Sequence, residues 1–292
     1  MRKPAFSCAE RLHGSVKLLL LKTLSALSIL PLGGRYPITD FLATAACLCM
    51  GSQRRAVTRN LTLLKGNRPR FTETLAVFRE YGRYWAELPA IHSFRQSMPM
   101  EYVGSFPPTE KCFVGLTFHI GNFELFGEEI YHHTGNEFSV VVERLRPDAL
   151  TDYFMTVRSR HHIVSIFHDD VRSILTTLKN SRPLGIVCDR IITGRGVRSS
   201  VLGTEVAMPL NIVRYCLKSG IPIYVSYIVK SGGKLRLESR KIPPACDLDK
   251  ALEIVTATFE EAIRRYPTQW HLLSDIKNGT EQAHAHAGIR DS

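Results

Sequence analysis

The chain has 292 residues, of which 44% are hydrophobic and 22% are charged, and it carries a formal net charge of +11. This length can bury one sizeable core, so one main domain with an N-terminal appendage is expected. The positive charge favours an anionic partner. The sequence shows no RNA-binding signature, zinc finger or continuous basic helix, and its charge is scattered among apolar segments. These features favour a membrane surface over nucleic acid.

The seven cysteines include no CxxC pair, and several lie inside apolar runs. An odd number placed in this way indicates reduced, buried thiols in a cytosolic compartment.

An apolar stretch covers residues 16–32 and ends at Pro31 and a Gly-Gly pair. Its uninterrupted part is shorter than the roughly 20 residues that a spanning helix needs. Basic residues precede it, as in a signal sequence, but Lys22 and the lack of a convincing cleavage site count against that. A second apolar run covers residues 38–50. The two runs predict a helical hairpin in the bilayer interface; the alternative is that both helices pack on the domain.

Basic residues follow this hairpin and are expected to face anionic headgroups: Arg54, Arg55 and Arg59. Residues 1–65 are therefore predicted to form a membrane-associated helical segment, residues 66–277 the main domain, and residues 278–292 a disordered tail. From Phe71 to Leu88, apolar residues recur at spacings of three and four, which predicts an amphipathic helix that ends near Pro89.

The stretch from Lys111 to Phe126 combines an apolar, β-prone run with the polar cluster that follows it. His119 and Glu124 are five positions apart, so a continuous helix would separate them by about 140°. They can meet only across a turn, for which Gly121 is permissive and Asn122 is a favoured N-cap. A carboxylate could then hold the imidazole while its other nitrogen faces a substrate, as general-base catalysis requires.

Strand-like and helical segments alternate after this stretch, which predicts an α/β fold with a mixed, partly parallel sheet flanked by helices. The strands are predicted at residues 112–118, 138–143, 164–167, 184–188 and 221–229, and the helices at 147–160, 171–179 and 209–218.

Polar residues at the carboxyl ends of such strands should cluster into one site. Glu143 and Arg144 follow one strand, Asp189 and Arg190 follow another, and Arg158 lies on an intervening helix. An arginine at a strand end suits a phosphate or a developing oxyanion, whereas a surface arginine is usually a solvated charge. Other chemistries fit less well, because the sequence has no GxSxG elbow and no HExxH zinc motif, and its histidine pairs lack metal-ligand spacing.

These residues resemble a known family. The segment from His119 to Glu124 resembles the HxGNxE motif of the bacterial lipid A biosynthesis acyltransferases, which belong to the lysophospholipid acyltransferase superfamily. It is also similar to the same segment of the phosphatidylinositol mannoside acyltransferases. Further similar blocks are Arg54-Arg55 with Arg59-Asn60-Leu61, Arg144 with Arg158, Asp189-Arg190 with the Gly-rich turn 193–196, Val201-Leu-Gly203 with Pro209, and Tyr266-Pro-Thr-Gln-Trp270. Two positions depart from the pattern, Ile191 in place of an acid and Leu202 in place of an aromatic residue.

The resemblance implies a glycerol-3-phosphate acyltransferase-like fold at the cytoplasmic face of the inner membrane. It also implies transfer of a fatty acyl chain from acyl carrier protein or coenzyme A, as co-substrate, to a hydroxyl of a lipid A-type or other glycolipid precursor, with no cofactor or metal. His119 is expected to be the general base and Glu124 to orient it. Arg158 is expected to stabilise charge, with Asn122, Glu143, Arg144, Asp189 and Arg190 as substrate-binding or supporting groups.

Three alternatives stay open: a phosphatidylinositol mannoside or lysophospholipid acceptor, a non-catalytic basic membrane-binding homologue, and nucleic-acid binding.

Overall fold

The computed structural model describes residues 18–106, 109–190 and 196–277. Several sequence features lie outside these ranges: the start of the first apolar run, Ile191, most of the Gly-rich turn 193–196, and the tail 278–292.

Among the described residues, five α-helices and two short 3-10 turns precede the first strand. Residues 18–26 are the described part of α1, and a short 3-10 turn follows at Leu27–Ile29. Then come α2 (Leu32–Cys49), α3 (Gly51–Lys65), α4 (Phe71–Glu87), a 3-10 turn (Leu88–Ala90) and α5 (Ile91–Ser97). The amphipathic helix predicted from Phe71 is confirmed as α4.

The rest of the chain alternates strands and helices as the sequence predicts. In order, the elements are β1 (Met100–Gly104), β2 (Val114–Thr117), α6 (Leu125–Thr134), β3 (Phe138–Val142), α7 (Asp148–Ser159), β4 (Ile163–Phe167), α8 (Val171–Lys179), β5 (Leu184–Val187), β6 (Val197–Val201), β7 (Thr204–Met208), α9 (Asn211–Ser219), β8 (Ile223–Ser231), β9 (Lys234–Lys241), α10 (Leu248–Arg265) and a 3-10 turn (Pro267–Gln269). Four of these strands, β1, β6, β7 and β9, were not predicted.

Seven strands form one sheet in the order β1-β9-β8-β2-β5-β3-β4, while β6 and β7 form a separate hairpin. Neighbouring strands are parallel except for β8 and β9, which pair antiparallel. The mixed, mostly parallel sheet is therefore confirmed. The strand β5 lies between β2 and β3. The two parallel neighbours of β2 are therefore β5 and β8, which come from distant parts of the chain.

Helices cover both faces of this sheet. Alternate residues of β2 point to opposite faces, as the pleat of a strand requires. Val114 and Leu116 pack in the larger core with α9 and α10, whereas Phe113, just before β2, packs with α5 and α6.

The N-terminal helices pack against this core. Val57 and Leu61 of α3 belong to the larger core, and Asn60 is hydrogen bonded to the backbone of the C-terminal segment, donating to the Ser274 carbonyl at 2.8 Å and accepting from the Ile276 amide at 3.1 Å. Among the described helices, none is both long enough and apolar enough to cross a membrane. The boundary at residue 65 stays a prediction.

Candidate active site

The chain makes a sharp turn between β2 and α6, and we refer to residues 119–122 as the catalytic turn. Gly121 adopts φ +59°, and a Cβ atom there would lie 1.9 Å from the carbonyl oxygen of Ile228. Glycine is therefore required, because no other residue combines this backbone angle with so close an approach. The predicted strand, turn and helix are present, with Glu124 immediately before α6.

The closing segment of the domain braces the catalytic turn through the backbone. The Gly121 amide donates to the Gln269 carbonyl at 2.9 Å, and the His271 amide donates to the His119 carbonyl at 2.7 Å. The His271 side chain adds a contact between its Nε2 and the Gly121 carbonyl oxygen at 2.9 Å. The segment that contains the proline-glutamine-tryptophan block thus holds the turn in place.

The carboxylate that holds the His119 imidazole is Asp189. His119 Nδ1 lies 2.7 Å from Asp189 Oδ1, and the His119 backbone amide donates to Asp189 Oδ2 at 3.0 Å. Both oxygens of the Asp189 carboxylate therefore contact His119. With Nδ1 carrying the proton toward the carboxylate, Nε2 is the nitrogen with a free lone pair.

Strand register explains why these two residues meet. β2 and β5 are parallel neighbours in which Thr117 pairs with Val187. His119 and Asp189 each lie two residues beyond that pair, so they leave the sheet at the same edge and the same height. The Cys188 amide continues the pairing by donating to the Thr117 carbonyl at 2.8 Å.

Asp189 is kept ionised in spite of its burial. Burial alone would raise the pKa of the Asp189 carboxyl, but the facing charge and hydrogen bonds of His119 outweigh it, so its pKa is lowered from the ordinary value. An ionised Asp189 can orient the imidazole and stabilise its protonated form. His119 has 29% of its side chain exposed, whereas the Asp189 side chain is fully buried.

Glu124, expected to orient His119, instead binds Arg158. Arg158 Nη2 donates to Glu124 Oε1 at 2.6 Å and Nε donates to Oε2 at 3.1 Å, which is a two-pronged contact. Glu124 immediately precedes α6, and this contact ties it to Arg158 on α7. Burial opposes the charge on Arg158, yet the Glu124 charge outweighs this and raises the Arg158 pKa. Arg158 therefore stays charged.

The other predicted site residues divide into two groups. Glu143, Arg190 and Asp189 share one edge of the sheet, where Arg190 forms an ion pair with Glu143. Arg144 lies at the same edge but pairs with Asp169, which follows the neighbouring strand β4, at 3.3 Å.

Asn122 does not have the expected place beside a substrate. It is buried, and its side-chain amide donates to Glu87 Oε2 at 2.8 Å. Its backbone amide is bonded to Ile228, so it neither caps α6 with its side chain nor faces the cavity described next.

A narrow apolar cavity of about 60 Å³ lies between the sheet and α6. The side toward the catalytic turn is formed by Thr117, Phe123, Glu124 and Arg158, and the His119 ring packs edge-on against Phe123 with centroids 5.3 Å apart. Gly115 and Gly185, paired across β2 and β5, leave the sheet surface open there. A Cβ atom on Gly185 would come within 2.6 Å of the Phe138 ring, another lining residue.

Sequence reasoning missed three residues around the turn: Glu87, Lys230 and His271. The Glu87 carboxylate is nearly inaccessible and binds Lys230 at 2.9 Å, behind the turn. Burial, and then the charge of Lys230, lowers the pKa of His271 to about 3. His271 directly follows the proline-glutamine-tryptophan block, which is the signal that could have pointed to it. No sequence signal marked Glu87 or Lys230.

The fold and the site together define a class of protein: an α/β enzyme that presents a carboxylate-held histidine at the edge of a mostly parallel sheet, beside an apolar cavity. Residues 9–275 match the family model described as bacterial lipid A biosynthesis acyltransferase. The chain belongs to this family and is an acyltransferase.

Curated relatives agree with this assignment. A phosphatidylinositol mannoside acyltransferase of Mycolicibacterium smegmatis is 22% identical over 213 residues, which cover 68% of this chain and 70% of the relative. The phosphatidylinositol mannoside acyltransferase of Mycobacterium tuberculosis H37Rv is 22% identical over 218 residues, covering 68% of each chain. Among solved structures, the 1-acyl-sn-glycerophosphate acyltransferase PlsC of Thermotoga maritima aligns with a TM-score of 0.38 and 14% identity, over 86% of this chain and 98% of that one.

Proposed function

We propose that this protein transfers a fatty acyl chain from a thioester donor to a hydroxyl of a glycolipid precursor at a membrane surface, with His119 as general base and Asp189 as the residue that orients it. The observation that carries the proposal is the contact of 2.7 Å between His119 Nδ1 and the ionised Asp189 beside the apolar cavity. Glu124, which the sequence favoured for the orienting role, supports the site through Arg158.

The chemistry follows from the tautomer. His119 Nε2 takes the proton of the acceptor hydroxyl as that oxygen attacks the thioester carbonyl carbon. Asp189 stabilises the imidazolium that forms. When the tetrahedral intermediate collapses, the carbon–sulfur bond breaks and the imidazolium returns its proton to the leaving thiolate. The ester and the free thiol are the products, and no covalent enzyme intermediate is needed.

The cavity supplies the place for the acyl chain. Its walls are mainly Phe, Val and Ile side chains, and burying hydrocarbon there contributes about 0.8 kcal/mol per methylene group. Arg158 lies at the wall nearest the turn, where a guanidinium can stabilise negative charge on the thioester oxygen or on an acceptor phosphate. Glu124 holds that guanidinium in place.

Two further assignments complete the proposal. The donor is acyl carrier protein or acyl-coenzyme A, and the enzyme requires no cofactor or metal. The acceptor is a lipid A-type precursor; a mannosylated phosphatidylinositol is the second candidate, because the relatives that match this chain carry that name. Arg144 and Arg190, at the sheet edge, are candidates for contact with the acceptor headgroup.

The face of α2 that points away from the domain supports membrane binding at the cytoplasmic side of the inner membrane. Soluble helices bury their apolar stripe and expose charge. In α2 the order is inverted: Arg35 is buried, and the exposed stripe carries no charge and consists of Gly34, Pro37, Ile38, Phe41, Leu42, Ala45, Leu48 and Cys49. Phe41 is 74% exposed. An exposed apolar stripe on a protein of net charge +11 suits an anionic bilayer.

The predicted headgroup arginines have other contacts as well. Arg54 donates to the carbonyl oxygens of Cys47 and Leu48, and thereby caps the end of α2. Arg59 forms an ion pair with Asp275 at 2.7 Å. Arg55 is exposed, and of these three it is the one best placed for a lipid phosphate.

The reaction is tested by incubating the purified protein with radiolabelled acyl-acyl carrier protein or acyl-coenzyme A and the candidate lipid acceptors, and following the labelled lipid by mass. The wild type should form acylated lipid, and His119→Ala should lose about 10³-fold or more in kcat, because a positioned base contributes about 10²- to 10⁴-fold. Undiminished activity of a folded His119→Ala protein would sink the assignment. Absence of transfer by the wild type would favour a non-catalytic membrane-binding protein.

Membrane binding is tested by co-sedimentation with vesicles that contain anionic phospholipid. Leu48→Glu should reduce the bound fraction, since it places a charge in the apolar stripe. The matched control is Val171→Glu on α8, because Val171 is 59% exposed and Leu48 is 58% exposed. Equal binding by the two variants would exclude α2 as the membrane-facing surface, and stronger retention on DNA than on vesicles would favour nucleic-acid binding.

A further inference from the structure

The side of the catalytic turn that faces away from the cavity rests on one buried carboxylate, Glu87 at the end of α4. Glu87 Oε2 accepts the side-chain amide of Asn122 at 2.8 Å. Its other oxygen, Oε1, accepts the Tyr36 hydroxyl at 2.8 Å and the Lys230 ammonium at 2.9 Å. Glu87 is 1% exposed, so these three groups take the place of its water.

In the cluster around Glu87, the positive charge of Lys230 faces the carboxylate. Burial would lower the pKa of Lys230, but Glu87 and Glu80 outweigh it and raise the pKa, so Lys230 stays charged. Burial, and then the charge of Glu87, raises the pKa of Tyr36 above its ordinary value, which leaves its hydroxyl as a hydrogen-bond donor. A buried carboxylate with three donors is strongly held, and removing one donor changes how the other two share it.

Two of these partners belong to parts of the molecule with different tasks. Asn122 is in the catalytic turn, three residues after His119. Tyr36 is on α2, whose opposite face carries the exposed apolar stripe. The same helix contacts α4 again through Asp40, which accepts two hydrogen bonds from Arg83 at 2.6 and 2.9 Å. The Glu87 carboxylate is therefore shared by the outermost helix and the catalytic turn.

We propose that Glu87 is a positioning residue for acyl transfer, through which the seating of α2 sets the position of the catalytic turn. The inference rests on the proposed function of His119. When α2 is seated, the Tyr36 hydroxyl fixes Glu87 Oε1, and Oε2 stays aimed at Asn122. When Tyr36 is withdrawn, the carboxylate turns toward Lys230, the Asn122 amide loses its acceptor, and His119 shifts relative to Asp189. A base that is misplaced by a fraction of an ångström loses rate without losing substrate affinity.

The test uses Tyr36→Phe, which removes one hydroxyl and leaves the α2 ring in place. The matched control is Tyr153→Phe. Tyr153 on α7 also joins an N-terminal helix to the domain, through a contact of 2.7 Å with the Ser25 hydroxyl, but it has no contact with Glu87 among the described hydrogen bonds. Both variants are compared with the wild type, with Glu87→Gln, and with Glu87→Ala alone and combined with Tyr36→Phe. All are measured at saturating vesicle concentration, so that membrane binding does not limit the rate.

Tyr36→Phe is expected to lower kcat about 5- to 10-fold with an unchanged KM for the acyl donor, the size of effect that one hydrogen bond to a buried carboxylate supports. Glu87→Gln should lower kcat further, and adding Tyr36→Phe to Glu87→Ala should cause no further loss, since the hydroxyl acts through that carboxylate. Tyr153→Phe should resemble the wild type. If Glu87→Ala does not fold, the kcat of Tyr36→Phe relative to Tyr153→Phe still tests the inference.

A second measurement keeps this inference separate from the proposed reaction. In protein labelled with ¹³C-histidine, the His119 ring signal is identified by its absence from His119→Gln. That signal should shift in Tyr36→Phe and not in Tyr153→Phe, whether or not transfer is detected. A His119 signal and kcat that are the same in the two variants would overturn the inference while the proposed function stands. A wild type without transfer would overturn the proposed function. The shift of the His119 ring signal would then be the measurement that tests whether Glu87 positions the catalytic turn.

Discussion

One histidine lies in the catalytic turn and another packs against that turn, and the contrast between them shows how the fold gives different tasks to one kind of side chain. His119 has 29% of its side chain exposed, and Nδ1 is held by an ionised carboxylate. His271 is buried; its Nε2 contacts the Gly121 carbonyl oxygen, and its Nδ1 has no partner among the described residues. The first can exchange a proton with a substrate, whereas the second is kept neutral.

The difference arises from the partners and not from the rings. A carboxylate favours the charged imidazole and leaves the second nitrogen basic, whereas burial and the nearby Lys230 ammonium favour the neutral ring and outweigh the contact with the Gly121 carbonyl oxygen. His271 therefore acts as a fixed donor that holds the turn, on which the position of His119 depends. Exposure and the nature of the acceptor, taken together, separate a candidate base from a structural histidine.

The largest effect on this contrast is expected when the Asp189 carboxylate is replaced. Asp189→Asn should lower kcat by about 10²- to 10⁴-fold with little effect on folding, because the amide neither orients the productive tautomer nor stabilises the imidazolium. The measurement is steady-state kinetics on protein whose fold is checked by circular dichroism. Asp249→Asn, at an exposed position in the first turn of α10, is the matched control and should stay near the wild type. Full activity of Asp189→Asn would return the orienting role to another group.

A smaller effect is expected at Glu124, the carboxylate that binds Arg158 and not a histidine. Arg158→Met leaves Glu124 unpaired with 3% of its side chain exposed, so the free energy of unfolding should fall by about 3 to 5 kcal/mol. Urea unfolding measures the loss, and the double variant Arg158→Met with Glu124→Leu should recover much of it. Arg198→Met breaks an exposed pair as the control and should cost less than about 1 kcal/mol. Equal losses in the two arginine variants would contradict a stabilising, buried salt bridge between Glu124 and Arg158.

The sequence was enough to predict the strand, turn and helix around His119, because a glycine after a β-prone run has a local cause and a local effect. It was also enough to predict that Asp189 lies at the same edge as His119, since parallel strands end together. It was not enough to choose between Glu124 and Asp189 as the partner of the imidazole. That choice depends on β5 lying beside β2 and on the register in which Thr117 pairs with Val187, both of which are set by long-range packing.

Long-range packing also explains the elements that were missed. The strand β9 has the charged sequence of Lys234–Lys241, and its alternating burial becomes evident only when β8 and β1 lie beside it. Glu87 reads as the polar end of an amphipathic helix, and its burial requires α2, β8 and the catalytic turn to converge. A carboxylate with three partners from three segments has no signature in any one of them.

The smallest effect is expected at His271, and it appears in the pH dependence of stability. Its pKa is about 3 in the folded protein, below the 6.5 of an unperturbed histidine, so between these values the unfolded chain binds a proton that the folded protein does not. This contribution to stability is present in full above pH 6.5 and is lost as the pH falls toward 3, at about 1.4 kcal/mol per pH unit.

His271→Gln should therefore lose about 2 kcal/mol less stability than the wild type between pH 6.5 and pH 5, even if it is less stable at pH 8. Unfolding by urea at a series of pH values measures both slopes, with His132→Gln, the same substitution at an exposed position, as the control. Identical slopes in the wild type and His271→Gln would mean that His271 takes up a proton inside the folded protein. The two histidines would then differ in exposure alone, and the bracing of the catalytic turn would tolerate a charge that burial and the nearby Lys230 ammonium are inferred to exclude.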